Sequence, residues 1–464
     1  MKNQTTYIIG IEGAGTSALA QILVSHGATV LGSDDGDGFY RENMRNIGVQ
    51  VYDSFDAAHI TDDIDRVIYS TAFGEDNVEI AEARRRGIPL QSYPEAVAEV
   101  FNGFTIPIAI CGTHGKTTTT AMTAEVVRAC GGDPVALVGS QIAGWNGNAL
   151  TGSGEIMVLE ADEYQNKLRY YNPRIVILTS IDYDHPDFFP TPESYERAFA
   201  DFIARIPTNG LLVACGDNPR VRKIVQTAQV KCQVIYYGFS KDNDVAIKDY
   251  TSTIVNELPV SEFTIYDTIV SLRLPGKHNA LNATASYLVA QWLDDKELFL
   301  DASDKAVTTA LARFRGARRR FEYHGTYNGA VLIDDYAHHP AEVVTTLNAV
   351  RKLYPQKNII AAFHPHTFTR TRALLEEFVQ SFDTADRVIV IDIYGSAREA
   401  QGGIHARDVV DAINKNGDYP EENKALYIGE ISELATWARE HLCEQDVFIT
   451  LGAGDIWKVM EQLT

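Results

Sequence analysis

A loop rich in glycine and threonine carries the clearest chemical signal in this chain. The sequence GTHGKTT at 112–118 follows the apolar run 106–111 and precedes a predicted helix over about 117–130. Glycines let backbone N–H groups turn towards an anion, and the start of a helix adds its dipole. A lysine supplies charge for the β- and γ-phosphates of a nucleotide, and the threonine after it can offer a hydroxyl to Mg²⁺. The predicted phosphate-loop residues are Gly112, Thr113, Gly115, Lys116, Thr117 and Thr118.

This loop is a compact variant of the common GxxxxGK[ST] pattern. Ile110 stands where that pattern has its first glycine. The alternative is an ordinary glycine turn with a surface lysine. The order of strand, Gly-Lys-Thr and helix favours the phosphate loop.

Acidic side chains terminate two further apolar runs. Glu160 follows the run 156–159, and the sequence Asp-Tyr-Asp-His at 182–185 follows the run 175–181. The carboxyl ends of parallel strands meet at one edge of an α/β sheet, so both clusters are expected beside the phosphate loop. Oxygen ligands suit Mg²⁺, and one imidazole is tolerable. Helix capping and surface acids are the alternative. The predicted metal ligands are Thr117, Glu160 and His185.

A second glycine turn lies near the N-terminus, between a predicted strand at 6–11 and a helix that reaches about residue 26. It reads Gly-Ile-Glu-Gly-Ala-Gly, so Glu12 interrupts the GxGxxG pattern of dinucleotide-binding proteins. The turn still permits close approach of a phosphate or diphosphate to a helix N-terminus. A purely structural turn is the alternative. The predicted ligand contacts are Gly13, Ala14, Gly15, Ser17, Ser33 and Asp34.

The composition excludes several classes of protein. The chain of 464 residues carries 62 acids and 41 bases, a net charge of −21, which argues against a nucleic-acid partner and against docking on an anionic membrane. No apolar run approaches the ~20 residues of a membrane span, and the first residues lack a basic signal segment. Five scattered cysteines without a CxxC pair are typical of free thiols in a reducing compartment. We therefore expect a cytoplasmic protein without membrane insertion.

Positive charge is concentrated in one segment of this acidic chain. A phosphate partner explains such a cluster better than a solvated helix face does. The segment contains Arg313, Arg315, Arg318, Arg319 and Arg320.

Strand-like and helix-like runs alternate along the whole chain, which predicts an α/β fold with mainly parallel sheets. Breaks in the pattern lie at Asn102-Gly103 and, after the arginine-rich segment, at His324-Gly325. The predicted domains are 1–103, 104–323 and 324–464, each of plausible size for a domain.

Together these motifs resemble the Mur ligases, the ATP-dependent amino-acid ligases of bacterial cell-wall precursor synthesis. GTHGKTTTT at 112–120 is similar to their nucleotide loop, and LEADE at 159–163 with Asp184-His185 resembles their two magnesium positions. The resemblance covers essentially the whole chain. It implies a Rossmann-like UDP-sugar-binding domain, a central P-loop ATPase domain and a C-terminal Rossmann-like domain, with ATP and Mg²⁺ as cofactors.

Further stretches are similar to the members that join L-alanine to the carboxylate of UDP-N-acetylmuramate. The resemblance implies that reaction for this chain, through an acyl phosphate that the alanine amine attacks, in peptidoglycan precursor synthesis. It implies UDP-N-acetylmuramate and L-alanine as partners, and we expect a monomer or a weak homodimer. The stretches are GIEGAGTSALA at 10–20, DDYAHHP at 334–340, FHPHTFTRT at 363–371 and DIYGSARE at 392–399.

The resemblance also implies roles for single residues. His278 and Asn282 match the segment that holds the adenine, while Asp335, Arg319 and Arg320 would contact the nucleotide. His338 or His339 is a candidate base for the alanine ammonium, although a lone histidine is more often structural. The predicted catalytic residues are Lys116, Glu160, His185 and His338. The predicted substrate contacts in the last domain are Tyr336, His366 and Arg370, the last two for the alanine carboxylate.

Four positions, Glu12, Gln165, Ser180 and Thr367, depart from the family pattern. Glu12 stands where glycine is usual, in the turn that is expected to meet a diphosphate. Some members carry a carbamylated lysine, and Phe199 stands at the similar position here, so no such lysine is predicted.

Three other functions stay open on the sequence. A recycling ligase that attaches a whole tripeptide to the same UDP-sugar shares the nucleotide motifs, but HPHTFTRT at 364–371 favours a single amino acid. A non-catalytic nucleotide-binding regulator is disfavoured by the intact Lys116, Glu160 and His185. A dehydrogenase is disfavoured by the interrupted glycine pattern.

Overall fold

The computed structural model describes residues 3–35, 40–255, 258–298, 301–395, 402–416 and 424–464. The last part of the DIYGSARE stretch, 396–399, lies outside the described residues. Three sheets with helices between their strands confirm the predicted α/β class. Among the described residues, no helix is long and apolar enough to cross a membrane.

The first sheet is parallel throughout. Its elements are β1 Thr5–Ile9, α1 Ala14–Ser25, β2 Thr29–Ser33, α2 Arg41–Asn46, β3 Gln50–Tyr52, a 3₁₀ helix Ala57–His59, β4 Arg66–Tyr69, α3 Val78–Arg86, β5 Leu90–Ser92 and α4 Tyr93–Asn102. The strand order is β3-β2-β1-β4-β5. The first turn therefore lies at the carboxyl end of the central strand, where a parallel sheet presents its ligand crevice.

The second sheet has ten strands. Its elements are β6 Ile106–Cys111, α5 Lys116–Ala129, β7 Val135–Leu137, β8 Ala149–Thr151, β9 Ile156–Glu160, a 3₁₀ helix Tyr164–Tyr170, β10 Ile175–Leu178, α6 Pro192–Ile203, β11 Leu211–Cys215, α7 Pro219–Thr227, β12 Gln233–Gly238, β13 Val245–Val255, β14 Leu258–Ile265, β15 Thr268–Leu272, α8 Lys277–Asp295 and α9 Asp304–Arg313. The strand order is β15-β14-β13-β12-β11-β10-β6-β9-β7-β8. The buried strand β6 lies between β9 and β10 and runs parallel to both.

The third sheet has six strands. Its elements are β16 Glu322–Tyr327, β17 Ala330–Asp335, α10 Pro340–Leu353, β18 Asn358–Phe363, α11 Phe368–Ala373, α12 Leu375–Ser381, β19 Arg387–Val390, α13 Ala406–Lys415, β20 Ala425–Tyr427, α14 Ile431–His441, β21 Asp446–Leu451, a 3₁₀ helix Asp455–Trp457 and α15 Lys458–Leu463. The strand order is β16-β17-β21-β18-β19-β20, antiparallel only between β16 and β17.

The contacts within the chain define two compact units. The first comprises Met1–Tyr250, Glu262–Leu272 and Asn279–Ala317, and the second comprises Thr251–Ser261, Arg273–His278 and Arg318–Thr464. The predicted boundary between residues 323 and 324 falls inside β16, six residues after the point where the units separate. The domain boundaries 1–103, 104–323 and 324–464 remain our proposal.

Candidate active site

The phosphate loop connects β6 to α5, in the order that the sequence predicts. Gly112 and Gly115 have φ angles of 132° and 81°, in the region that favours glycine. A Cβ on Gly112 would lie 2.3 Å from Thr179 Oγ1, and a Cβ on Gly115 would lie 2.8 Å from Asn282 Oδ1. Side chains at these positions would therefore push the loop off β10 and α8. The same contact places the predicted adenine residue Asn282 directly beside the loop.

Lys116 is folded back over this loop. Its Nζ donates to the carbonyl oxygens of Gly112 at 2.6 Å and Thr113 at 3.0 Å, and to Glu163 Oε2 at 2.9 Å. Burial alone would lower the pKa of the Lys116 amine, but the carboxylates of Glu163 and Asp162 outweigh it and raise that pKa. The side chain is thus a charged, fixed ammonium at the mouth of the loop.

The rest of the loop is fastened to the strand end at β10. The Thr113 N–H donates to Ser180 O at 2.8 Å, and the His114 N–H donates to Ser180 Oγ at 3.0 Å. The Thr113 hydroxyl lies 2.9 Å from Tyr195 OH, and Tyr195 OH donates to Glu163 Oε1 at 3.0 Å. Thr118 is buried at the start of α5. The loop is therefore preorganised from two sides, by Ser180 and by the pair of Tyr195 and Glu163.

One carboxylate lies beside the threonine that follows the lysine. In the sheet, Glu160 at the end of β9 is the parallel partner of Ile110 in β6. The Thr117 hydroxyl donates to Glu160 Oε1 at 2.7 Å, and the Gly139 N–H donates to Glu160 Oε2 at 2.6 Å. The predicted pair of Thr117 and Glu160 is thus brought together next to the loop.

A second cluster joins the ends of β9 and β10. One potential ligand atom each from Asp162, Glu163 and His185 lies within 4.8 Å of the others, the one such group of three found among the described residues. Lys167 Nζ lies 2.5 Å from Asp162 Oδ2, and Lys167 with Lys116 lowers the pKa of Asp162 against the effect of its burial. His185 is therefore near carboxylates, as the sequence predicts, but they are Asp162 and Glu163; Glu160 is not part of this cluster.

The N-terminal glycine turn opens on α1. Gly13 is exposed and Ala14 and Gly15 are half-buried, and a Cβ on Gly15 would lie 2.4 Å from the Tyr93 ring. The Glu12 carboxylate points away from bulk water and pairs with Arg41, whose Nη1 lies 2.9 Å from Asp53 Oδ1. The negative charge at position 12 is therefore balanced inside the protein.

The side chains of Ser17, Ser33 and Asp34 are engaged in internal hydrogen bonds. Ser17 Oγ donates to Ala14 O at 3.1 Å, and Ser33 Oγ donates to the buried Glu79 Oε2 at 2.5 Å. Asp34 Oδ2 accepts the Glu12 N–H at 2.9 Å, while burial raises the pKa of the Asp34 carboxyl. These side chains shape the turn, and the backbone of 13–15 is the part left to meet a ligand.

The turn is tied to the segment 139–148 of the second sheet. Asn148 Nδ2 donates to Ala14 O at 2.5 Å, and Gln21 Nε2 donates to Asn148 Oδ1 at 2.8 Å. Because Gly139, at the other end of the segment, donates to Glu160, one short segment connects the glycine turn with the phosphate loop.

In the second unit, Arg319 is held by structural contacts. Its Nε donates to Asp334 Oδ2 at 3.0 Å, and its other nitrogens donate to Ala453 O at 3.2 Å and Gly452 O at 2.5 Å. The guanidinium groups of Arg319 and Arg320 both lie over the Tyr336 ring, 5.2 Å and 4.9 Å from its centroid. The Arg319 guanidinium is thus engaged in internal hydrogen bonds, and the nucleotide contacts of Arg319 and Arg320 stay predictions.

Two predicted nucleotide residues of this unit lie near Arg320. Asp335 accepts the N–H groups of Phe321 at 2.7 Å and Ala337 at 2.8 Å. Burial raises the pKa of Asp335 to about 6, against the opposing charge of Arg320. Burial also lowers the pKa of His278 to about 4, and the Arg320 charge adds to this effect. At a given pH, a larger fraction of each group is therefore neutral than is usual for a carboxyl or an imidazole.

His338, His366 and Arg370 form one cluster. His338 Nδ1 lies 3.0 Å from Tyr336 O, so this nitrogen carries the proton and Nε2 keeps a lone pair. Burial lowers the pKa of His338 to about 3. Arg370 Nη1 donates to His366 Nδ1 at 3.1 Å, and the rings of His338 and His366 are 5.7 Å apart. The cluster pairs a neutral imidazole with a fixed cation.

Comparison with known proteins identifies the family to which this chain belongs. Three family models match: "Mur ligase family, catalytic domain" at 5–105, "Mur ligase middle domain" at 110–290 and "Mur ligase, glutamate ligase domain" at 319–454. The UDP-N-acetylmuramate–L-alanine ligase of Rubrobacter xylanophilus is 37% identical over 98% of both chains. That of Caldanaerobacter subterraneus subsp. tengcongensis is 33% identical over 99% of this chain and 97% of its own. The chain belongs to the Mur ligase family.

Solved structures of Mur ligases share the fold. UDP-N-acetylmuramate–alanine ligase from Thermotoga maritima superposes with a TM-score of 0.79 at 24% identity, covering 99% of this chain and 98% of that one. A murein peptide ligase from Psychrobacter arcticus superposes with a TM-score of 0.70 at 21% identity, with the same coverage. The three-domain Mur ligase fold predicted from the sequence is thereby confirmed.

Sequence reasoning missed three residues of this Mur ligase site. Glu163 forms an ion pair with Lys116, and Lys167 forms one with Asp162. The Tyr195 hydroxyl forms hydrogen bonds with Glu163 and Thr113. The three acids at 160–163 indicate that carboxylates lie near the loop, but the sequence does not say which of them contacts Lys116. Tyr195 and Lys167 stand in helical segments without any motif, so the sequence carries no signal for them.

Proposed function

We propose that this Mur ligase joins the amine of L-alanine to the carboxylate of UDP-N-acetylmuramate, at the expense of ATP, in the synthesis of peptidoglycan precursors. A carboxylate oxygen takes the γ-phosphoryl group and ADP leaves; the amine then displaces inorganic phosphate from the acyl carbon. The observation that carries this proposal is a phosphate loop whose Lys116 contacts Glu163 and whose Thr117 contacts Glu160. Relatives of this name that match 98% of the chain at 37% identity support the substrate pair.

The first step brings two anions together, so the site has to supply positive charge. Lys116 supplies a permanent ammonium, and its contact with Glu163 keeps it at the loop before ATP arrives. The N–H groups at the start of α5 add the positive end of the helix dipole. Positioning and charge of this kind are the main requirements of phosphoryl transfer.

The residues around the loop fit Mg²⁺. The carboxylates of Asp162 and Glu163 with the His185 imidazole form one donor set, and Glu160 with Thr117 forms another. Both sets are dominated by the hard oxygen donors that Mg²⁺ prefers. We assign Thr117, Glu160 and His185 as ligands. When bound, Mg²⁺ would neutralise phosphate charge and polarise the phosphoryl group.

The N-terminal turn is our proposed binding site for the UDP diphosphate. Its backbone at 13–15 begins α1, and helix N-termini favour phosphate groups. Glu12 does not oppose such a ligand, because Arg41 neutralises its carboxylate. The segment 139–148 links this turn to the phosphate-loop region, because Asn148 donates to Ala14 O and Gly139 donates to Glu160.

The second step needs a free amine held near the acyl carbon. We assign Arg370 and His366 to the alanine carboxylate, since a guanidinium makes strong charge-assisted contacts. His338 Nε2 keeps the lone pair that a proton acceptor needs, although its low pKa makes it a weak base. Tyr336 packs against Arg320 and His338 and lines the same cluster. We further propose that the enzyme acts in the cytoplasm, where ATP is supplied.

Release of inorganic phosphate tests the proposal. The full chain is incubated with ATP, Mg²⁺ and UDP-N-acetylmuramate, and either L-alanine or a tripeptide is added. We expect release that depends on both the UDP-sugar and L-alanine. Faster release with the tripeptide would assign the chain to the recycling ligases. No release with any amine would contradict catalysis and favour a nucleotide-binding regulator.

A further inference from the structure

A second cationic cavity lies apart from the phosphate loop. It has a volume of about 760 Å³ between the end of α5, residues 143–144 and helix α9 with the residues after it. Arg128 at this wall is twelve residues beyond Lys116 on α5, about 18 Å along the helix at 1.5 Å per residue. The cavity therefore belongs to a different part of the first unit from the site described above.

Cations dominate the wall of this cavity. Four basic side chains face one carboxylate, that of Glu125. Both oxygens of this carboxylate already have partners. Arg128 Nη2 lies 2.5 Å from Glu125 Oε2, and the Trp145 indole donates to Glu125 Oε1 at 2.5 Å. The basic residues are Arg128, Lys305, Arg313 and Arg315.

The charged groups of Lys305, Arg313 and Arg315, which are exposed residues, make no ion pair or hydrogen bond with any residue in the described ranges, although the chain holds 62 acids. The nearest acid in sequence, Asp304, is turned to other partners, since it accepts the hydroxyls of Tyr287 and Thr268. The cavity thus concentrates positive charge that the protein itself does not neutralise.

Helix dipoles explain only part of this charge. Arg128 and Arg313 lie in the last turns of α5 and α9, where a cation is favourable. Lys305, however, lies in the first turn of α9, where a cation is unfavourable, and Arg315 lies beyond the helix. Helix dipoles therefore do not account for Lys305 and Arg315.

We propose that this cavity is a second anion site, for a small molecule that carries two or more phosphate groups. Guanidinium groups bind phosphate oxygens in pairs, so Arg313 and Arg315 are the main contacts and Lys305 adds a point charge. The volume lies within the range of small-molecule sites, about 300–1,000 Å³. Only the first part of the arginine-rich segment, Arg313 and Arg315, belongs to this proposed site.

Calorimetric titration with tripolyphosphate tests the proposal. The full chain is first saturated with a non-hydrolysable ATP analogue and with UDP-N-acetylmuramate, so that the phosphate loop and the proposed diphosphate turn are both filled. We expect one further saturable site, whose Kd rises at least about tenfold in the variant Arg313→Gln with Arg315→Gln. A parallel titration with UTP separates the two sources of such an anion: tighter binding than tripolyphosphate assigns a nucleotide, and equal or weaker binding assigns an inorganic polyphosphate.

The matched control is Arg197→Gln with Lys231→Gln. Both control residues are exposed and lie outside the cavity, and the change in net charge is the same. The Kd of the control should stay within about twofold of the original. Absence of a further site, or an equal loss in the control, would overturn the proposal. So would loss of phosphate release in the Arg313/Arg315 variant, because the cavity would then be part of the active site.

Discussion

Lys116 and Glu163 form a buried ion pair beside the phosphate loop. The Nζ atom lies 2.9 Å from Oε2, and the two side chains are 15% and 1% exposed. Tyr195 donates to the other carboxylate oxygen at 3.0 Å. The lysine expected to bind the nucleotide is thus held in place by a carboxylate that also belongs to the proposed donor set for Mg²⁺. Incoming phosphates have to compete with Glu163 for this ammonium, and the predictions below depend on that competition.

Replacement of Lys116 by alanine removes the permanent cation of the site. We expect kcat for phosphate release to fall by about 10²–10³-fold, the usual cost of losing one electrostatic contact to the transition state. Glu163 would be left buried without its partner, so the variant Lys116→Ala with Glu163→Gln separates folding from catalysis. It should regain stability in urea but not activity. Lys223→Ala, an exposed lysine on α7, is the control, and equal activity of all three variants would contradict the role of Lys116.

Tyr195→Phe removes the hydroxyl that joins Thr113 to Glu163. We expect the free energy of unfolding in urea to fall by about 1–3 kcal/mol, because two buried polar groups lose a partner. The KM for ATP should rise as well, since the loop loses one of its two fastenings. Tyr236→Phe is a suitable control, because that ring retains its contact with Arg222. Unchanged stability and KM in Tyr195→Phe would show that the loop does not depend on this hydroxyl.

Much of this site could be predicted from the sequence because hydrophobic runs mark strands and motifs mark their ends. The run 106–111 is observed as β6, and the acid at its neighbour's end, Glu160, meets Thr117 as expected. The sequence does not predict which contacts each of two adjacent residues makes. Arg319 has a φ of 62°, and its guanidinium donates to Asp334 and lies, like that of Arg320, over the Tyr336 ring. Such a backbone reversal has no signature in composition or spacing.

Arg41→Ala leaves the Glu12 carboxylate buried and unbalanced beside the proposed diphosphate site. We expect the KM for UDP-N-acetylmuramate to rise about tenfold or more, with little change in the KM for ATP, because breaking a buried ion pair costs several kcal/mol. Adding Glu12→Gln should recover most of the loss. Arg45→Ala, an exposed arginine in the same helix, is the control. Failure of Glu12→Gln to rescue the variant would contradict the neutralising role of Arg41.

Asp335 makes stability depend on pH. Burial raises the pKa of Asp335 to about 6 from a usual 3.8, so the folded state holds its proton more tightly than the unfolded state. Its contribution is complete below pH 3.8 and is lost as the pH rises through about 6, a loss of about 3 kcal/mol. In urea unfolding, the original protein should lose about 2–3 kcal/mol of stability relative to Asp335→Asn between pH 4 and pH 7. A difference that does not vary with pH would contradict the raised pKa.

The path of one oxygen atom tests the central claim most directly. UDP-N-acetylmuramate with ¹⁸O in both carboxylate oxygens is incubated with the protein, ATP, Mg²⁺ and L-alanine. The masses of the L-alanyl product and of inorganic phosphate are then measured by mass spectrometry. Activation of the carboxylate by phosphorylation predicts an L-alanyl product that keeps one ¹⁸O and inorganic phosphate that carries the other. Phosphate without ¹⁸O, or phosphate released without an L-alanyl product, would contradict the account.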